Sequence, residues 1–292
     1  MTAITFPGRS TDSSPERAST RAKKRRKRNV PLIAGLTLFA VIVLLAILAP
    51  VLSSYDPTVP DLAHAHLAPG TDGHLLGTDY LGRDVLSRLL FGARIDLRVG
   101  VTAVISPFVI GTILGLVAGW FGGWLDTLIM RIVDVVVAFP FYILIIALVF
   151  ALGAGTGSIY LAITMVGWVA YCRIVRGEVL IAKEQEYALA ARASGLPTWR
   201  ILFRHLLPNV VLQAIVYSMS DIVLTILALV TLSYLGLGVP PPTPDWGSMI
   251  SDGQQYLLSQ WYVATIPGLA VVITGFSLAL IADGLVERFD QK

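Results

Sequence analysis

The chain has 292 residues, of which 55% are hydrophobic and 14% are charged, and its mean hydropathy is +0.73. Soluble proteins carry about 25% charged residues, so this composition excludes an ordinary soluble enzyme and predicts a polytopic membrane protein. The net charge of +3 is unevenly distributed: residues 1–30 hold nine Lys or Arg against two acidic residues, a net +7, which leaves −4 for the remainder. Because the basic charge lies in one tail, the sequence does not predict a nucleic-acid-binding domain.

Two residue types exclude further classes of function. Cys172 is the single cysteine, which rules out an intrachain disulfide framework and a multi-cysteine zinc site. A phosphate-binding loop of the GxxxxGK[ST] type needs a lysine after a glycine, and none of the five lysines follows one. We therefore expect no enzymatic activity and no cofactor in this chain, and any ATP must bind to partner subunits.

An apolar stretch at residues 30–52 follows the basic run Lys23–Arg28. A cleaved secretory signal is the alternative, but its apolar core needs roughly 7 to 15 residues, whereas a transmembrane helix needs about 20. We predict that residues 30–52 form the first transmembrane helix. Residues 1–29 are then a basic tail, which the positive-inside rule places in the cytoplasm and whose polar composition predicts disorder.

Residues 53–97 are polar and mildly acidic, and we expect them to form an extracytoplasmic segment. Each of the later apolar stretches is long enough to cross roughly 30 Å of hydrocarbon. They lie at about residues 98–120, 130–152, 158–180, 207–237 and 262–284. The sequence therefore predicts an all-α, multi-pass protein with six transmembrane helices and with both termini in the cytoplasm.

The loop charges agree with this topology, with one exception. The connection at residues 181–206 is basic, and residues 238–261 contain no Lys or Arg. The exception is the first outer segment, which contains or borders four arginines: Arg83, Arg88, Arg94 and Arg98. Long loops obey the positive-inside rule weakly, so the exception does not invert the topology.

Two of the predicted spans contain polar or small residues in informative positions. Gly111, Gly115 and Gly119 are four residues apart and predict a helix face that a second helix can approach closely. Asp221 lies near the middle of the 31-residue stretch at 207–237, which is long enough to predict a tilted or broken helix. An intramembrane carboxylate either lines a translocation path or pairs with a neighbouring helix, and both remain open.

The connection at residues 183–206 contains good helix formers, and Gly195 and Pro197 end the predicted helix. A short helix, a glycine turn and an amphipathic lead-in to the next span predict a protruding knob, with small alanines on its outer face. The alternative is an amphipathic helix that lies on lipid. The candidate coupling residues are Glu186, Tyr187, Ala190, Ala191, Arg192, Gly195, Leu207 and Pro208.

The spacing of these residues resembles the EAA loop of ABC importer permeases. An Ala-Ala pair is followed after three residues by Gly195 and, nine residues further, by a hydrophobic position that ends in Leu207-Pro208. The usual acid of that loop falls at Leu189, and the usual isoleucine falls at His205. The missing acid argues against a charge-based contact at residue 189.

Four further segments, in family order, resemble the C-type permease of the dipeptide/oligopeptide/nickel importers. They are HLLGTDYLGRDVLSRLLFGARIDL (74–97), GWFGGWLDTLIMRIVD (119–134), RHLLPN (204–209) and LSYLGLGVPPPTPDWGSMI (232–250). The resemblance covers residues 30–290. It implies a type I ABC importer permease fold, with residues 98–292 as the permease core, in the bacterial inner membrane. Leu229 stands where the family often has a glutamate.

The resemblance also implies partners and a mechanism. The partners are a paralogous permease subunit, two ATP-binding cassette ATPases and an extracytoplasmic peptide-binding protein, all within membrane lipid. The implied function is ATP-driven import of di- or oligopeptides by alternating access. The alternatives are import of nickel or another small solute, and a proton-coupled secondary transporter that uses Asp221.

Two features of the outer segments have roles that the sequence alone does not decide. Trp246 follows the stiff PPPTP run and is either a contact on the translocation path or an aromatic anchor at the membrane surface. His64, His66 and His74 cluster in the first outer segment, but they have no definite carboxylate partner, and we predict no metal site.

Overall fold

The computed structural model describes residues 29–290 of the chain, and side chains as far as residue 287. The predicted basic tail, residues 1–29, lies outside the described residues except for Asn29. Apart from two isolated bridges, the secondary structure of the described part is helical. The helices are α1 (Val30–Leu52), α2 (Val85–Phe121), α3 (Gly123–Val137), α4 (Phe141–Leu152), α5 (Thr156–Ala182), α6 (Glu186–Ala193), α7 (Thr198–Arg200), α8 (Leu207–Tyr234), α9 (Trp246–Gln254) and α10 (Trp261–Asp290), with a 3-10 helix at Leu62–His64 and a π-helical segment at Ile201–Leu206.

Five helical segments of the described chain are long and apolar enough to cross a membrane. They are α1, α2, α5, α10 and the continuous helix Thr198–Tyr234, which joins α7, the π-helical segment and α8. α3 and α4 together would make a sixth, but they are bent by 86° relative to each other. The predicted all-α membrane fold is confirmed.

The directions of the helices show that the bent pair connects opposite ends of the bundle. Gly111 on α2 packs beside Trp168 on α5, and Gly119 packs beside Val179, so α2 and α5 run parallel. α3 and α4 must therefore return the chain from the end of α2 to the start of α5. We call the two ends the α6 end, which carries α6, and the α9 end, which carries residues 53–84 and α9.

The third predicted span, residues 130–152, is not one continuous helix. The helix begins earlier, at Gly123, and breaks between Val137 and Phe141. Pro140 causes the break, because proline lacks an amide hydrogen and disfavours helical geometry in the residue before it. The hydropathy of the stretch predicted its length but not this corner.

The second predicted span, residues 98–120, begins thirteen residues earlier than expected, at Val85. Asp84 caps the helix, since its Oδ2 accepts a hydrogen bond from the Ser87 amide at 2.7 Å. Polar residues of this first part point inward, and Ser87, Arg88 and Asp96 are all buried. The helix therefore extends into what the sequence predicted to be the outer segment.

The fifth predicted span also begins earlier, because the helix runs unbroken from Thr198 through the π-helical segment to Tyr234. Pro208 stands in the second position of α8, where it cannot donate a hydrogen bond to the preceding turn. The wider π-helical turn lies directly before it. The predicted amphipathic lead-in is thus the first part of the same long helix as the span that follows it.

The predicted close approach at the glycine face is confirmed. A Cβ atom at Gly115 would lie 2.6 Å from the Cys172 carbonyl oxygen and 3.0 Å from the Val175 Cβ. α1 and α10 approach each other equally closely, because a Cβ at Gly35 would lie 2.8 Å from the Ile281 amide nitrogen. Glycines thus allow these two helix pairs to pack backbone against backbone.

The buried arginines of the outer segment form a charge cluster at the α9 end. Arg83 Nε lies 2.7 Å from Asp79 Oδ2, and one terminal guanidinium nitrogen each of Arg83 and Arg88 lies 3.1 Å and 3.4 Å from Asp252 Oδ2. Burial raises the pKa of Asp252, and the two guanidinium groups oppose that shift. Pairing with Asp79 and Asp252 accounts for two of the arginines that departed from the positive-inside rule.

Candidate functional site

The first candidate site is the α6 segment, residues 183–206. Its helix ends in a Schellman motif: the Leu196 amide donates to the Ala191 carbonyl at 3.3 Å, and the Gly195 amide donates to the Arg192 carbonyl at 3.0 Å. Gly195 has a φ of +69°, and a Cβ there would meet nothing within 4 Å. A glycine is therefore required at position 195 by the backbone conformation and not by lack of space.

The faces of α6 differ in part from the prediction. Ala191 is 7% exposed and Ala188 is fully buried, so the alanines do not all lie on the outer face. Ala191 belongs to the same buried cluster as Ile201 and Leu206, and this packing holds the short helix against the π-helical segment. Ala190 is exposed. The other exposed candidates are Glu186, Tyr187, Arg192, Gly195 and Pro208, and Leu207 is half-buried.

The α6 segment is attached to the end of α2 by two contacts that the sequence did not predict. The Arg192 guanidinium lies 4.2 Å from the centre of the Trp120 ring, and Lys183 Nζ donates to the Gly119 carbonyl at 3.1 Å. A cation over the face of an indole ring is attracted by the ring quadrupole. These two contacts join the α6 segment to the end of α2.

The start of α3 is tied to α5 at the same end of the bundle. The Arg176 guanidinium donates to both carboxylate oxygens of Asp126, at 2.5 Å and 2.7 Å. Such a bidentate pair fixes orientation as well as distance. The bent pair, α5 and the α6 segment are thus connected at one end.

The second candidate site is a cavity of about 550 Å³ at the corner of the bent pair. Its wall is largely apolar and includes Phe139, Pro140, Tyr142, Arg173, Tyr217 and Asp221. Asp221 is 5% exposed and accepts a hydrogen bond from the Tyr171 hydroxyl at 2.8 Å. Asp221 therefore both pairs with a neighbouring helix and lines the cavity, so the two sequence-based alternatives coexist.

A second, more open cavity of about 620 Å³ adjoins the first, and the two share Arg173 and Tyr217. Its lining includes Gln213 and Ser220 from α8 and Asp283 from α10. Polar side chains from α5, α8 and α10 thus line the two cavities. Such a surface suits solute contact better than lipid contact.

Trp246 lies in neither of the positions predicted for it. Its side chain is 1% exposed, and its Nε1 donates to the Leu89 carbonyl at 3.1 Å. The indole fits against Gly92 on α2, where a Cβ would lie 3.2 Å from the indole Cδ1. In this structure, Trp246 is a core residue and contacts neither a cavity nor the membrane surface.

The three outer histidines have separate hydrogen-bond partners. The Nδ1 atoms of His64, His66 and His74 lie 2.7 Å from Asp61, 2.5 Å from Gln260 and 2.9 Å from Asp84, respectively. The hydrogen bond that His64 donates to the Asp61 carboxylate raises the pKa of His64. Among residues 29–287, no group of three or more His, Cys, Asp or Glu is arranged to hold a metal ion.

Five membrane-length helical segments, a bent helix pair between two of them and polar cavity walls on three helices are features of a helical membrane permease. Residues 111–292 match the family described as binding-protein-dependent transport system inner membrane component. Residues 20–69 match the N-terminal transmembrane domain of oligopeptide transport permease C. The chain belongs to the family of inner membrane components of binding-protein-dependent transport systems.

Relatives named as peptide transport permeases cover most of the chain. The dipeptide transport system permease protein DppC of Bacillus subtilis is 39% identical over 93% of this chain and 85% of its own length. The oligopeptide transport system permease protein OppC of the same organism is 39% identical over 93% and 88%. DppC of Escherichia coli is 40% identical over 91% and 90%. These matches confirm the resemblance inferred from the sequence motifs.

Among solved structures, a chain of the inward-facing MetNI methionine ABC transporter has a similar fold. The TM-score is 0.54 at 19% sequence identity, and the match covers 69% of this chain and 95% of that chain. The predicted ABC importer permease fold is thus confirmed.

Proposed function

We propose that this chain is a permease subunit of an ATP-driven importer of di- or oligopeptides in the bacterial inner membrane. The observation that carries the proposal is the form of α6. This short helix is capped at its end, its inner face is buried, and its outer face is exposed. The peptide substrate is supported by the names of the relatives, which are dipeptide and oligopeptide permeases.

The α6 end is the cytoplasmic end in this proposal. Asn29, which directly follows the basic run, donates through Nδ2 to the Gly284 carbonyl at 2.5 Å, so the start of α1 and the last part of α10 lie together. Residues 282–286 of α10 share a cavity wall with residues 173–181 of α5, near the α6 segment. Both ends of the described chain thus lie at the α6 end, where the positive-inside rule places the basic tail.

The partners follow from this orientation. One of two ATPase subunits would bind the exposed face of α6, and the other would bind a paralogous permease that completes the pore. A peptide-binding protein would dock at the α9 end. The chain itself would hold no cofactor and catalyse no reaction, because ATP would bind to the ATPases. Membrane lipid would surround the remaining apolar faces, and no nucleic acid is involved.

Movement of the ATPases would reach the pore through the contacts of α6. Arg192 would pull on Trp120 at the end of α2, and Ala191 would move the π-helical segment that leads into α8. α8 carries Asp221, so a tilt of this helix would reshape the cavity beside the bent pair. Alternating access then results from the displacement of packed helices around the cavity.

The docking of ATPases on α6 can be tested by cysteine cross-linking. We expect Ala190→Cys to cross-link to an ATPase subunit in the assembled complex, because residue 190 is exposed. Ala188→Cys is the matched control on the same helix, and we expect no cross-link because residue 188 is fully buried. The natural Cys172 is buried and gives little background. A transport-competent complex in which Ala190→Cys never reaches an ATPase would contradict the proposal.

A further inference from the structure

Two of the four outer arginines have no acidic partner among the residues that the structure describes. Arg94 and Arg98 on α2 are both exposed, and neither forms a salt bridge in that part of the chain. Side chains four residues apart share one face of a helix, and like charges at this spacing repel each other. Charged side chains on a membrane-spanning helix are costly unless they are paired. An anionic group that contacts both guanidinium groups would remove this cost.

Both arginines line a groove of about 310 Å³ between α1 and α2. The rest of its wall is apolar and consists of Phe39, Val43, Ala46, Ile47, Leu97 and Val101. Ile47 is 63% exposed and Val101 is 40% exposed, so the groove opens toward the surroundings of the bundle and not toward its core. A ligand that fits this groove has a negative charge and an apolar body.

The charged part of the groove lies toward the α9 end. The hydroxyl oxygens of Ser53, just after α1, and Ser87, near the start of α2, are 2.7 Å apart, so α1 and α2 run antiparallel. Arg94 follows Ser87 by seven residues, about 10 Å along the helix axis. Its guanidinium lies 5.7 Å from the centre of the Phe91 ring, so the side chain leans back toward the start of α2. The apolar wall continues to Val101, deeper in the bundle.

An anionic phospholipid combines these features, because its phosphate lies at the membrane surface and its acyl chains extend toward the membrane centre. Arginine binds phosphate oxygens through its planar set of N–H donors. Basic pockets between transmembrane helices bind the anionic headgroups of lipids in this way. We propose that the groove binds one anionic phospholipid, with its phosphate on Arg94 and Arg98 and an acyl chain along Phe39 and Val101. The proposed orientation of the chain places this lipid in the outer leaflet.

The charge requirement is testable by native mass spectrometry of the assembled transporter with equal amounts of phosphatidylglycerol and phosphatidylcholine that have the same acyl chains. The wild-type complex should retain phosphatidylglycerol in preference to phosphatidylcholine. Arg94→Gln and Arg98→Gln should each weaken this binding roughly fivefold, the contribution of one basic residue near an anionic surface. Arg131→Gln is the matched control, because it removes an exposed arginine on α3 that does not line the groove, and it should change nothing.

The apolar requirement is tested by Val101→Trp, which keeps both arginines and fills the groove with an indole. We expect this variant to retain less phosphatidylglycerol than the wild-type complex. Ile105→Trp is its control on the same helix, because Ile105 is 56% exposed and lies outside the groove. Unchanged retention in Val101→Trp would show that no acyl chain occupies the groove and would overturn the proposal.

Two further outcomes would overturn it. The first is equal retention of the two lipids by the wild-type complex, or retention that neither glutamine variant lowers. The second is loss of the paralogous permease from the Arg94→Gln and Arg98→Gln complexes with phosphatidylglycerol retention unchanged, because the arginines would then pair with acids of that subunit. Lipid binding in this groove is independent of the solute carried, so its failure would leave the proposed function intact.

Discussion

Gly195→Val is expected to reduce transport by about tenfold or more and to weaken ATPase association, while the chain still inserts in the membrane. Gly195 has a φ of +69°. A residue with a Cβ is destabilised by roughly 1–2 kcal/mol in this left-handed conformation, and 1.4 kcal/mol corresponds to about a tenfold change in an equilibrium constant. A β-branched residue is least suited to it, so the Schellman motif opens and Leu196 no longer caps α6. The assays are peptide uptake and co-purification of the ATPases.

The matched control for this substitution is Gly236→Val at the α9 end. Gly236 has a φ of +76°, and, as at Gly195, a Cβ would meet nothing within 4 Å. The local strain is therefore similar, but the position is far from α6, so ATPase association should be normal. Gly195→Asn should retain most of the transport, because asparagine tolerates the left-handed region. Normal uptake by Gly195→Val would refute the role of α6.

Gly115→Leu is expected to disrupt the packing of α2 on α5 and to lower the amount of folded protein in the membrane. The added side chain would collide with the Cys172 carbonyl oxygen and with Val175, and helix backbone cannot yield as a flexible side chain can. Overpacking in a well-packed core costs about 1–3 kcal/mol, and more where backbone must move. Thermal unfolding in detergent and protease resistance are the measurements.

Gly268→Leu on α10 is the control for this second prediction. It places the same side chain in the interior of a long apolar helix, but a Cβ at Gly268 would meet nothing within 4 Å. Its unfolding temperature should therefore stay close to that of the wild-type protein. Equal stability of the two leucine variants would show that the glycine face does not control the packing of α2 and α5.

The sequence was most informative where structure is set by local composition. The first span was predicted at residues 30–52 and α1 occupies the same residues, because a run of apolar residues bounded by polar ones defines a helix locally. The break at Pro140 was missed because hydropathy averages over a window and does not register one proline. The early start of α2 was missed because the buried polar residues there have partners distant in sequence, such as Asp252 on α9, which pairs with Arg88.

In the candidate sites too, features set by local sequence could be predicted, and features set by packing between distant segments could not. The end of α6 at Gly195 could be predicted, since a glycine and a proline end helices by their own geometry. The inward orientation of Ala191 and the contact of Arg192 with Trp120 could not, because both depend on how α6 packs on α2 and on the π-helical segment. Trp246 was expected on the translocation path or at the membrane surface, and neither alternative could foresee that Gly92 on a distant helix leaves room for the buried indole.

Uptake of a labelled dipeptide into proteoliposomes that contain the complete transporter, with ATP at the α6 end and the binding protein at the α9 end, tests the proposed function most directly. We predict uptake that requires ATP and persists when a protonophore removes the proton gradient. The variant Asp221→Asn should still depend on ATP, because Asp221 shapes the cavity and does not drive transport. Uptake without ATP that stops when the proton gradient collapses, and that Asp221→Asn abolishes, would contradict the account and identify a proton-coupled transporter.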